Sequence, residues 1–345
     1  MTGVILLNFG EPETTELDEV VPFLERIFLT NASLEGELPK ETVRTRSHEL
    51  AVRRAPGLIE EYRAIGGSPL NRQAAAQAEA LRAELGRRGY PVHTCCGMQF
   101  TEPSIAAAAQ RAFDAGVDRL VALPVYPLCG ASTTVASLAA LQNVIADMDR
   151  DIEIVEISGW HRHPLYLEMR TDGVRRTADA AGLTLNDARI RLVFSAHGTP
   201  VRFLAEGSRY DVYVREHCAA IAATLGVQSY SLGYQNHGNR PIAWTQPDID
   251  DVIPDIDADA IVVVPVSFMH EQSETLAELD HDLREKAMKH GLAFHRVPVP
   301  HDDARFARVL ADLVLARLGR SAATSLHPCT CRPSARTRCT NGVPR

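Results

Sequence analysis

The sequence predicts an α/β protein of two similar, doubly wound (Rossmann-like) parallel-sheet domains with a cleft between them. Three observations carry that expectation. Compact apolar runs without polar alternation recur along the chain, as strands covered on both faces require. Ala- and Leu-rich stretches of helical length separate them, so strand and helix alternate. The chain also echoes itself: Val4–Pro12 resembles Leu192–Pro200, and Arg119–Tyr126 resembles Ala260–Phe268.

Strands are expected at Val4–Asn8, Leu120–Pro124, Ile152–Ile157, Ile190–Ser195 and Ala260–Pro265. Helices are expected at Arg72–Gly86, Ser104–Ala115, Ser132–Ala146, Leu165–Ala181, Tyr210–Leu225, Glu274–His290 and Asp303–Leu318. This order divides the chain into an N-terminal α/β domain over 1–150, a C-terminal α/β domain over 151–302, and a helix near 303–318 that packs back on the first domain. In open α/β sheets ligands sit beyond the carboxyl ends of strands. The loops after residues 8, 125, 195 and 266 are therefore the expected cleft walls. The segment from Gly319 to Arg345 has five arginines, three prolines, three cysteines and no acidic residue. It is too short and polar to build a core.

Hydrophobic residues make up 45% of the 345 residues, enough for two domains with real cores. The net charge of −8 argues against a nucleic-acid partner, which calls for a basic face. No apolar run approaches the roughly 20 residues that span a bilayer. Val4–Leu7 is too short for a signal-peptide core. A cytoplasmic location is expected, with room for peripheral membrane contact through a local apolar lip.

Two segments carry chemistry. Phe194–Pro200 places His197 at a strand exit, followed by Gly198, which lets backbone pass close to a ligand. An imidazole there can ligate a transition metal or take a proton near neutral pH. A histidine at a strand end also serves purely structural roles. Pro265–Asp280 ends a buried strand and opens a helix with carboxylates at Glu271, Glu274 and Glu278, three and four residues apart along one face. That strip is either a solvated surface or an acidic ladder for a divalent cation and protons.

Together these segments resemble the ferrochelatase family. Further matching stretches are Leu6–Pro12, Glu61–Asn71, Gly97–Phe100, Tyr126-Pro127 with Ser132–Thr134, and Tyr234-Gln235 with Trp244 and Pro247, in family order over residues 4 to about 318. The resemblance implies a chelatase-like fold and insertion of Fe²⁺, as substrate, into protoporphyrin IX or coproporphyrin III in haem biosynthesis. It implies His197 on one face of the porphyrin, Glu274 opposing it, and Glu278 as a further acid on the metal or proton path. Phe9, Arg63, Tyr126, Gln235 and Trp244 fall where the family lines its porphyrin pocket, Arg63 being suited to grip a propionate. One departure stands out. Many relatives carry Asp-His two residues before the glutamate, where this chain has Glu271-Gln272, so a relay through that histidine is absent or rerouted through His270.

Seven cysteines do not look like a disulfide framework in a cytosolic chain. Some ferrochelatases carry a [2Fe-2S] cluster on C-terminal cysteines. Cys329, Cys331 and Cys339 supply three thiolates of the four such a cluster needs. Cys129 is the expected fourth, with Cys95, Cys96 and Cys218 as alternates, although Ala131 occupies the position usual in relatives. A zinc site or an unstructured tail are the other readings of these thiols. Rival readings of the whole chain are a cobalt or nickel chelatase for another tetrapyrrole and a non-catalytic haem or metal carrier. A nucleotide-binding protein is disfavoured, because neither a Gly-X-Gly-X-X-Gly fingerprint nor a phosphate loop occurs.

Overall fold

The computed structural model describes residues 1–36, 38–238 and 242–320. Two four-stranded parallel sheets form its frame. The first comprises β1 (Thr2–Asn8), β2 (His93–Met98), β3 (Arg119–Pro124) and β4 (Glu153–Glu156), in the order β2-β1-β3-β4. The second comprises β5 (Ile190–His197), β6 (Tyr230–Gln235), β7 (Ala260–Pro265) and β8 (Ala293–Arg296), in the matching order β6-β5-β7-β8. The internal echo in the sequence is thus a repeated topology.

Both sheets are covered on both faces, which explains their unbroken apolar runs. Val4 and Leu6 of β1 point into one cluster with Val121 and Leu123 of β3, and Ile5 and Leu7 point into the opposite one with Leu120 and Ala122. The first cluster is closed by α3 (Leu70–Arg87) and α9 (Ala304–Arg317); the second by α4 (Ile105–Asp114) and α5 (Ala136–Asp147). In the second sheet, Phe194 and Val264 pack on α6 (Pro164–Ala180) and α7 (Tyr210–Leu225), while Val193 and Val263 face Leu279, Leu283 and Ala287. Leu279 and Leu283 belong to a π-helical segment, Glu274–Leu283, that continues into α8 (Arg284–Lys289), which carries Ala287.

Several features differ from the expectations. β4 hydrogen-bonds to β3, so the chain leaves the first sheet after residue 156 rather than after residue 150. Strands β2, β6 and β8 carry His93, Thr94, Ser231 and His295 and lack a continuous apolar run, so periodicity does not mark them. Two helices inserted between β1 and β2 also escape the pattern: α1 (Leu17–Thr30) and α2 (Lys40–Ala64). Each contains a proline, and α2 is heavily charged. Its narrow buried stripe, Ala51, Ala55, Leu58 and Tyr62, packs with Val20, Phe23, Leu24 and Phe28 of α1 into a separate small core. Among the described residues no helix is long and apolar enough to cross a membrane.

In each sheet the strand order reverses beside the first strand of the half, between β1 and β3 and between β5 and β7. These switch points leave a crevice beyond the carboxyl ends. The two crevices open into one cleft, and the α1–α2 pair flanks it.

Candidate functional site

The cleft is walled by Phe9, Phe23, Leu24, Ile27, Phe28, Tyr126, Ile242, Trp244 and Phe268, with His197, His237, Glu274 and Glu278 among its polar lining. His197 is the last residue of β5, held by bonds that begin in the sheet. Its backbone N–H donates to Ser267 Oγ at 2.9 Å, its carbonyl accepts from Tyr210 Oη at 3.0 Å, and Nδ1 lies 3.4 Å from the Gln235 carbonyl. Donation from Nδ1 to that carbonyl leaves the Nε2 lone pair facing the cleft. Burial, opposed by the Gln235 carbonyl, holds the imidazole below its ordinary pKa, so it is neutral at neutral pH.

Gly198 is required by close approach. A Cβ there would lie 1.9 Å from Asn236 Oδ1 and 2.9 Å from the Gln235 carbonyl. Asn236 cannot yield easily, because its Nδ2 donates to the Thr245 carbonyl and to Asp248.

Glu274 opens the π-helical segment, whose i→i+5 winding brings residues four apart nearly into line. Glu278 therefore follows Glu274 along one strip that continues to exposed Asp282. Glu274 Oε2 accepts from Gln272 Nε2, and Oε1 faces Nε2 of His197 at 3.6 Å. Burial first, then the charges of Glu278 and Glu11, raises the Glu274 carboxyl far above its usual range. Burial also lifts Glu278 to about 7, against a hydrogen bond from Gln235. In the absence of a cation, burial and mutual repulsion make both carboxyls bind protons more tightly than exposed ones do.

His197 and Glu274 do not straddle a slot. A flat macrocycle between them would need two van der Waals contacts of about 3.5 Å each, about 7 Å in all. At 3.6 Å the two groups stand on the same side and can share one ion.

Of the other expected site residues, Phe9, Tyr126 and Trp244 line the cleft. Gln235 does not: it is buried behind the acidic strip, donating to the Glu274 carbonyl and to Glu278 Oε2, both at 2.9 Å, while accepting from Ser195. Arg63 is exposed on α2, a position out of phase with buried Tyr62. The arginine of that helix in the cleft is Arg54, paired with Glu61 at 2.7 Å. Glu271 leaves the acidic strip altogether. It precedes the helix and is consumed by Arg296 at 3.0 Å and the Val299 N–H at 3.1 Å. His270 is buried beside His301 with no hydrogen bond to Nε2, and it lines the same cleft as Glu274.

Two features went unforeseen. His237, in the loop after β6, brings Nε2 to 3.9 Å from Glu274 Oε1. Its signal was the two-strand repeat: β6 pairs with β5, so a residue just past β6 must emerge near His197. The second is Glu11. Its buried carboxylate accepts from Ser68 Oγ and Ser273 Oγ, both at 2.5 Å, and from the Ser273 N–H at 3.2 Å. It ties the first half to the residue preceding Glu274.

Cys95, Cys96, Cys129 and Cys218 are free thiols, Cys129 being buried in the apolar core of the second half. Cys329, Cys331 and Cys339 lie outside the described residues.

Comparison with known proteins identifies the family. A protein-family model described as Ferrochelatase matches residues 1–318. A relative named Ferrochelatase from Synechococcus sp. (strain JA-3-3Ab) is 34% identical over 331 residues, covering 93% of this chain and 95% of its own length. Another of that name, from Nostoc sp. (strain PCC 7120), is 33% identical and covers 92% and 82% respectively. Among solved structures, the sirohydrochlorin chelatase SirB from Bacillus subtilis subspecies spizizenii, in complex with cobalt, superposes with a TM-score of 0.52 at 12% identity. It covers 92% of this chain and 94% of its own, a likeness of fold alone. The chain belongs to the ferrochelatase family.

Proposed function

We propose that this chain inserts Fe²⁺ into a porphyrin as a step of haem biosynthesis, with His197 and Glu274 as the site of metal exchange. The observation that carries the reading is the approach of His197 Nε2 to Glu274 Oε1, 3.6 Å, in the wall of an otherwise largely apolar and aromatic cleft. Imidazole and carboxylate both suit Fe²⁺. The apolar and aromatic walls suit the faces of a macrocycle.

Insertion exchanges one Fe²⁺ for two pyrrole protons, so the total charge is unchanged. The porphyrin nitrogens must tilt out of plane before the ion can enter, and a cleft that fits the distorted ring better than the flat one lowers that barrier. The ion and the buried carboxylates are coupled electrostatically. Fe²⁺ stabilises Glu274 as an anion and displaces its proton. When the ion passes to the ring, the carboxylate left among Glu278 and Glu11 regains its high proton affinity and takes up a pyrrole proton. Glu278 and Asp282 then offer a path outward to solvent. The cleft thus favours metal departure and proton uptake together. A carrier would have no use for buried proton acceptors, which favours an enzyme, in the lyase class of metal insertion, acting in the cytoplasm.

The test is His197→Ala, expected to abolish Fe²⁺ insertion by at least about a thousandfold while porphyrin still quenches protein fluorescence. Retained turnover would defeat the assignment. Competition among Fe²⁺, Co²⁺ and Ni²⁺, with protoporphyrin and coproporphyrin as acceptors, separates this activity from other chelatases.

A [2Fe-2S] cluster on Cys129, Cys329, Cys331 and Cys339 rests on the tail sequence. Only one of its four thiols is among the described residues, and that one is packed in an apolar core, so no step of insertion is routed through a cluster. A colourless protein after anaerobic purification, without bound sulfide, would rule it out.

A further inference from the structure

Glu274 offers one free oxygen. Its Oε2 is occupied by Gln272, so Oε1 faces the cleft, and two imidazoles face Oε1: His197 Nε2 at 3.6 Å and His237 Nε2 at 3.9 Å. The three donor atoms lie within 4.8 Å of one another, and this is the group of its kind among the described residues. Metal–donor bonds of about 2.1 Å put neighbouring donors about 3–3.5 Å apart. The set therefore closes on an ion by side-chain movements of about an ångström. The rings are already oriented for it. They stand edge to face, 5.0 Å apart at 81°, and His237 is backed by the Trp244 ring at 5.8 Å and 80°.

We infer that His237 is a third ligand to the incoming divalent ion, which two imidazoles and one carboxylate oxygen receive before the porphyrin does. The inference rests on the metal-exchange reading of the same site and deepens it. The donors come from the end of β5, the loop after β6 and the start of the π-helical segment, so the set exists only when the second sheet is assembled. Its chemistry selects the cargo. Two nitrogens and one oxygen suit Fe²⁺, Co²⁺ or Zn²⁺, whereas Mg²⁺ and Ca²⁺ prefer oxygen ligands throughout. A three-donor set with open positions also suits release: the ring nitrogens can enter the coordination sphere before any protein ligand leaves. The ion then exchanges three protein donors for four pyrrole nitrogens, and the two displaced N–H protons pass to the vacated basic groups. If His237 merely packs against Trp244, its removal leaves metal affinity alone.

The test uses the full chain, stripped of metal and titrated anaerobically with Co²⁺ while its ligand-field absorption is followed. His237→Ala and His237→Gln should each weaken Co²⁺ binding about tenfold or more and shift the absorption bands, as loss of one nitrogen donor requires. Unchanged affinity and spectrum in both variants, with far-ultraviolet dichroism like that of the wild type, would overturn the inference. His197→Ala and Glu274→Gln, titrated alongside, keep the two levels apart. If these weaken Co²⁺ binding and the His237 variants do not, only the third ligand is lost. If none of the four variants alters binding, the metal-exchange reading falls as well.

Discussion

Glu278→Gln isolates the energetic cost of keeping proton acceptors in the cleft. Burial, reinforced by the charges of Glu61 and Asp282, lifts this carboxyl from 4.5 to about 7. A raised folded-state pKa means the folded chain binds the proton more tightly than the unfolded one. The associated stability is complete below pH 4.5 and lost as pH climbs through about 7. At about 1.4 kcal/mol per tenfold change in proton affinity, that interval corresponds to about 3 kcal/mol. Glutamine never ionises and keeps an oxygen to accept from Gln235. The variant should therefore match the wild type in acid and exceed it by up to about 3 kcal/mol in mild alkali. Relief of repulsion on Glu274 acts in the same direction. Urea unfolding of the metal-free proteins near pH 5 and near pH 8 measures the difference. A stability gap equal at the two pH values, or a wild type that gains on the variant as pH rises, would refute the argument. The same substitution should slow insertion, since it removes a proton acceptor, so stability and activity move in opposite directions.

Two further perturbations test the scaffold. Gly198→Ala forces a methyl group onto Asn236 and the Gln235 carbonyl; a loss of about 2 kcal/mol or more is expected, with insertion falling as His197 shifts, and a wild-type denaturation midpoint would show that the loop has more room than the structure gives it. Glu11→Ala leaves the Ser68 and Ser273 hydroxyls and the Ser273 N–H without their acceptor; it should cost about 1–3 kcal/mol and lower the insertion rate through the displaced Glu274, whereas an unaltered rate would show that this tie does not position the helix.

What the sequence by itself determined were the features written in contiguous residues. Runs such as Val4–Leu7 and Ile261–Val264 can be buried on both faces only in parallel sheets between helices, and their repetition identified two like halves. The His197 and Glu274 segments were equally legible, because each pairs a strand exit with a chemically distinctive side chain. Polar strands such as β2 and β6 were not legible, since their place depends on hydrogen bonding to neighbours rather than on their own hydropathy. Nor was α2, whose burial is a narrow stripe on a charged helix.

Tertiary structure alone decided relations between segments. The face a side chain presents follows from the phase of its element: α2 put Tyr62 inward and Arg63 outward, and the end of β6 withdrew Gln235 behind the acidic strip. Winding of the π-helical segment and the ion pair with Arg296 separated Glu271 from Glu274 and Glu278. Sheet pairing brought His237 beside His197 across 40 residues of sequence, and it placed the imidazoles and Glu274 on one side of the cleft. Distance along the chain carries no record of such proximity. It arises from parallel strands whose carboxyl ends must emerge together, and from the packing that fixes where each loop then goes.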